Sequence, residues 1–232
     1  MKEIVFTDIF GLPEEIKPMP ASKAIPDWYK NTESYVGGVK EPSGDARTTA
    51  TIKKCMPVLD AITAGYILPL PADIVVSKKE VDGTTMQWFE WANFNLVGFH
   101  PVEQAPLHPE KKPHPYIKFN NPWSIKTPPG YSCLFIQPLH REAPFTVLAG
   151  VVDTDTYINT VNFPLVINDP DFEGLIPQGT PMAQVIPFKR EEWKMSFGDQ
   201  QDYEKAISNK QLLMSKFFDS YKTKFWHKKD YR

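Results

Sequence analysis

Two aspartates two residues apart, Asp153 and Asp155 in AGVVDTDTY, are the strongest candidates for chemistry in this sequence. Alternate residues of a strand face the same way, so the two carboxylates can line one polar pocket. Paired there, one can orient a water molecule, or both can hold Mg²⁺ that keeps several of its own waters. An Asp-Thr-Asp turn capping two strands accounts for the same residues without any reaction.

Three imidazoles, His100, His108 and His114, fall in one proline-rich stretch with Glu103 and Glu110. They offer the ligands of a transition metal, as a cupin-like metal enzyme would use. Metal sites favour short fixed spacings such as HxH or HExxH, which are missing here, so surface His-Pro turns are the simpler reading. His140, Arg141 and Glu142 supply an acid, a cation and a carboxylate, but three consecutive side chains rarely converge on one atom. There is no GxSxG elbow, P-loop or GxGxxG, which leaves α/β-hydrolase, P-loop and Rossmann chemistry without support. Cys55 and Cys133 belong to no CxxC or Cys/His cluster and read as buried free thiols.

The elements that must position these residues are short. Twenty-three prolines in 232 residues interrupt nearly every stretch that might run as a long helix. Asp73–Val81 and Thr84–Trp91 are β-rich runs joined through Asp82-Gly83, a tight hairpin signal. Further strands are expected in WSIKT, YSCLFIQPL, FTVLAGVV, TVNFPLVI, GLIP and MAQVIPF, with a short helix after Pro57 and a loop from Phe94 to Asn121. The fold predicted is mainly β, a single barrel or sandwich. Residues 1–50 form an extended N-terminal arm and loop, 51–190 the β domain, and 191–232 a tail with an amphipathic helix. In that tail Tyr203, Ile207, Leu213 or Met214, Phe217 or Phe218, Tyr221 and Phe225 recur at helical spacing.

A net charge of -2 and a pI near 6.2 give no polybasic field, so duplex nucleic acid is not an expected partner. No apolar run approaches the roughly 20 residues that span a bilayer, and the first residues lack a secretory pattern. A cytoplasmic protein without membrane contact is expected.

Several segments resemble, in order, motifs of the dUTPase and dCTP-deaminase superfamily. TPPGYSCLFIQP is similar to the strand with a Pro-Gly turn before the second motif, AGVVDTDTY to GVID-x-DY, IPQGTPMAQVIPF to the G-x-x-xAQ motif, and AGYILPLPADI to the AGYDL opening. The resemblance implies a β-clip barrel, often trimeric. Asp153 would match the water-activating carboxylate, Gln184 the phosphate-contacting glutamine, and Tyr157, displaced by one residue, the pyrimidine-packing tyrosine. Ile67 stands where the family has the aspartate of AGYDL, and only Arg141-Glu142-Ala143 answers its Arg-Ser-Ser motif, so efficient dUTP hydrolysis is not implied. PASKAIPDWYK, CMPVLDAITAGYILPLPADI and FKREEW resemble uncharacterised proteins of tailed phages, including those of marine cyanobacteria. That implies a viral protein in a host cytoplasm or a virion.

The leading expectation is a non-catalytic β protein that self-associates or binds another viral protein. Its contact aromatics would be Trp28 and Tyr29 of the arm and Phe217, Phe218, Phe225 and Trp226 of the tail, and it needs no cofactor. The alternative is a nucleotide- or small-anion-binding protein, or weak hydrolase, in which Asp153, Asp155, Arg141 and Gln184 converge, with Mg²⁺. The cupin-like reading comes third.

Overall fold

A computed structural model describes residues 2–232 except 13, 44–46, 82, 93–94, 105–115 and 217. The chain runs through β1 (Val5–Asp8), β2 (Met19–Pro20), α1 (Asp27–Asn31), β3 (Pro42–Ser43), β4 (Arg47–Thr48) and α2 (Met56–Thr63). Then come β5 (Tyr66–Pro69), β6 (Ile74–Val81), β7 (Thr84–Trp91), β8 (Val97–His100), β9 (Tyr116–Phe119), β10 (Trp123–Lys126) and β11 (Tyr131–Ile136). The series closes with β12 (Phe145–Val147), β13 (Gly150–Val152), β14 (Phe163–Ile167), β15 (Gly174–Ile176), β16 (Pro181–Lys189), α3 (Gln200–Met214) and α4 (Ser220–Lys224). The protein is mainly β with antiparallel sheets and a C-terminal helix, as its sequence predicts.

Among the described residues the largest sheet has the order β13-β11-β16-β5-β2. β16 is its centre, and Met182, Ala183, Gln184 and Val185 are buried, because β11 and β5 cover both edges and the core covers the faces. A second sheet runs β12-β14-β9-β8, a third β15-β6-β7, and β1 pairs with β10. The expected hairpin is β6 and β7, in register from Ile74↔Trp91 to Val81↔Thr84, with Gly83 at φ +74.

One core joins these sheets. Leu68, Ile74, Phe89, Phe119, Ile125, Phe135, Phe163 and Val185 all belong to it, and Phe119 meets Phe145 edge to face at 5.1 Å. Each such side chain contributes roughly 1.5–3 kcal/mol by leaving water. Gly65 shows why a glycine precedes β5: its φ is +65°, and a Cβ there would lie 1.9 Å from the Val185 carbonyl oxygen.

The structure departs from the sequence reading in two places. The stretch expected as a loop holds β8 and β9, which pair with each other and bury Val97, Tyr116, Ile117 and Phe119. Long-range pairing with β14 supplies the hydrogen bonds that local proline-rich sequence does not advertise. The N-terminal arm lies on the chain's own body, as its aromatics and prolines allow, since β1 joins β10 and β2 joins β5. The C-terminal stripe is carried by two helices, α3 ending at Met214 and α4 starting at Ser220 after Asp219 at φ +58°.

Candidate functional site

The loop after β13 folds back over the start of β11 and carries Asp153 and Asp155 with it. The Thr156 and Tyr157 amides donate to the Asp153 carbonyl at 3.1 and 2.8 Å, so the segment is a turn. Beneath it the Thr154 and Thr127 hydroxyls meet at 2.8 Å and Thr154 donates to the Cys133 sulfur at 3.3 Å. Both aspartates meet Arg190, the residue just past the end of β16. Its Nη1 donates to Asp155 Oδ1 at 2.8 Å and to Asp153 Oδ1 at 3.3 Å, and its Nη2 donates to Asp155 Oδ2 at 2.5 Å. The Gly130 amide also donates to Asp155, at 2.8 Å, and Ser132 Oγ donates to Asp153 at 2.6 Å.

The guanidinium sets the electrostatics. Its hydrogen bonds, then that of the Gly130 amide, hold the Asp155 carboxyl down to about 2, and Asp155 in turn raises Arg190. A carboxylate so committed is a poor proton acceptor near neutral pH, because a general base works best with a pKa near the working pH. The same cation stands where a dication bound to both carboxylates would need to be. The arrangement is suited to clamping the end of β16.

Gln184 and Arg141 lie at the other end of β11. Gln184 pairs with Ile136 and Phe188 with Ser132, so four residues, about 13 Å, separate the two places along the strand. The Gln184 amide is fully engaged: Oε1 accepts from the Leu139 amide at 2.9 Å, and Nε2 donates to the Ala61 and Ala64 carbonyls at 3.0 and 2.7 Å. Arg141 Nη1 donates to the Ala24 carbonyl, while its Nε and Nη2 are buried without a hydrogen-bond partner among the described residues. Burial lowers its pKa. Tyr157 is exposed on the rim of the Asp153 turn.

His100 ends β8 with its Nδ1 2.6 Å from Gln104 Oε1, and Glu103 is exposed in the turn beyond it. His108, Glu110 and His114 lie outside the described residues. Among the described residues, no three His, Cys, Asp or Glu side chains gather closely enough to hold a metal ion. Burial pushes the Cys133 thiol up to about 11, whereas Cys55, expected to be buried, is exposed.

The aromatics expected to meet a partner are largely engaged by the chain itself. Trp28 is exposed, yet its Nε1 donates to the His140 carbonyl at 2.7 Å; Tyr29 is buried and donates to the Lys53 carbonyl at 3.1 Å. Phe218 meets Tyr35 edge to face at 5.8 Å, and Phe225 stacks with Tyr221 at 6.5 Å. Trp226 Nε1 donates to both Asp60 oxygens at 3.1 and 2.9 Å. Phe217 lies outside the described residues.

The segment between Arg190 and Ser215 behaves differently. Every residue in it is exposed, and Trp193, Met195 and Phe197 are 88, 82 and 91% exposed. The chain leaves the body at the Arg190 clamp and returns where Asp219 meets Lys54 at 3.0 Å. Between them lie an apolar residue at every second position and then α3, with Tyr203, Ile207, Leu213 and Met214 exposed. The helical stripe is the stronger sequence signal and draws attention away from Trp193, Met195 and Phe197. Their alternation with Glu192, Lys194 and Ser196 is the signal that marks them.

No protein-family model and no curated protein matches this chain. Geometry alone therefore ranks the candidates. The carboxylate cluster is closed on its own arginine, and the apolar excursion from 191 to 214 is open.

Proposed function

We propose that this protein acts by binding a protein surface, with the excursion from residue 191 to 214 as its contact arm. The observation that carries the reading is the near-complete exposure of Trp193, Met195 and Phe197 between two fixed anchors. Large apolar side chains grouped on a surface mark interaction sites, since water contact is unfavourable until a partner covers them. The role is assembly by self-association or partner binding, and the likeness of PASKAIPDWYK and FKREEW to tailed-phage proteins supports a viral setting. The nucleotide reading draws less support, because Arg190 already neutralises the carboxylates it would employ.

Hydrogen exchange measured as the protein is diluted tests this. An arm awaiting a partner leaves residues 191–214 unprotected in the dilute monomer. Strong protection of that stretch in a protein that light scattering shows to be strictly monomeric would put it on its own body and overturn the proposal.

A further inference from the structure

We infer that Arg141 anchors a buried anion site, in which the free edge of its guanidinium grips a monocarboxylate side-on where the N-terminal arm packs against the turn after β11.

That turn fixes the guanidinium in advance. His140 takes a left-handed conformation, φ +55°, and the chain around it is fastened at three points. The Leu139 amide donates to Gln184 at 2.9 Å, and the His140 carbonyl accepts from Trp28 at 2.7 Å. Arg141 itself reaches the arm through Nη1, which donates to the Ala24 carbonyl. A group already held in place loses little freedom when a ligand arrives.

What remains of the side chain is a complete binding edge. In a guanidinium the Nε hydrogen and one Nη2 hydrogen point the same way, and this edge holds a carboxylate by two parallel hydrogen bonds. Nε and Nη2 are the two nitrogens of Arg141 that are buried and unpartnered among the described residues, whereas Nη1 is engaged by Ala24. Buried N–H groups nearly always find an acceptor, and a buried cation without a counter-charge is strongly destabilising. One bound anion answers both needs at the same atoms.

Charge selects the anion. Among the described residues no carboxylate meets Arg141: Glu142 is exposed, and Asp27 of α1 pairs with Lys30 at 3.0 Å. The buried polar residues described elsewhere in the fold carry no charge, so no second cation assists. A single negative charge therefore balances the site. A carboxylate brings it on two coplanar oxygens that match the two donors. A phosphate dianion would bury an excess charge, and a water molecule would leave the cation uncompensated. Burial lowers the Arg141 pKa, and a carboxylate at its edge would raise it again.

Melting of the full chain tests the site, with acetate as the probe and chloride exchanged for it at constant ionic strength. The wild type is compared with Arg141→Met, which keeps an unbranched stem without the charge, and with Arg141→Lys, which keeps the charge without the fork. The wild type should gain about 3–5 °C for each tenfold rise in acetate above its dissociation constant. Arg141→Met should show only the general effect of the salt, and Arg141→Lys an intermediate gain. The Nε–H signal of Arg141 in nitrogen-15 spectra reads the same contact in the unsubstituted protein, and acetate should shift it and slow its exchange with water. Equal gains in wild type and Arg141→Met, or an Nε–H signal that acetate leaves unmoved, overturn the inference. A gain with phosphate and none with acetate overturns the assignment to a carboxylate.

Discussion

The Asp155 carboxylate accepts two hydrogen bonds from Arg190 and one from the Gly130 amide, with 7% of its side chain exposed. Its pKa in the fold, about 2, lies below the ordinary 3.8, so the pair stabilises the protein fully above about pH 4. That contribution is lost as the pH falls toward 2. Asp155→Asn should therefore lower the melting temperature at pH 7, and the gap to wild type should close in melts run at successively lower pH. A gap that is the same at every pH would sink the assignment. Gln184→Leu strands the Leu139 amide and the Ala61 and Ala64 carbonyls, and urea unfolding should register a loss of about 3 kcal/mol. A loss below about 1 kcal/mol would mean that water replaces the amide. Both Gln184 and the Asp-Thr-Asp run stand out in the sequence. What each side chain touches is not legible there, because Arg190 reaches the turn only through the pairing of β16 with β11.

At the scale of elements, the β6–β7 hairpin and most strands from β10 onward are readable because alternation and turn residues are local signals, but FTVLAGVV, expected as one strand, splits into β12 and β13 in two different sheets. β8 and β9 are not, since their stability comes from each other and from β14. The C-terminal stripe is also readable, and its apolar spacing suggests burial. Instead every residue of α3 is exposed, Ile207 and Leu213 the least at 37 and 38%, and the chain from Phe218 onward packs on the body. Its capping box carries a further expectation. Asp199→Ala should cost the helix about 1 kcal/mol, seen as lower helicity in dilute solution, while the melting of the β body stays where it was. A fall in the melting of the body itself would show that α3 is coupled to it.

For the whole molecule, the tail acts as a return anchor. Trp226 and Lys229 both hold Asp60, and Tyr231 lies edge-on to Tyr66 at 6.1 Å. Trp226→Ala should release the last residues, so that limited proteolysis clips the chain after α4 well before it cuts the β body. Equal rates of clipping in variant and wild type would show that the anchor is redundant. Among the described residues no helix is long and apolar enough to cross a membrane. Composition and local pattern by themselves determined the mainly β character, the hairpin and the helical tail, because prolines, turn residues and periodicity act over a few neighbours. Only the tertiary structure decided that the aspartates close on Arg190, that Gln184 braces α2, and that Trp193, Met195 and Phe197 stay in water. Those outcomes depend on which strands pair across long stretches of chain and on which surfaces remain uncovered once they have.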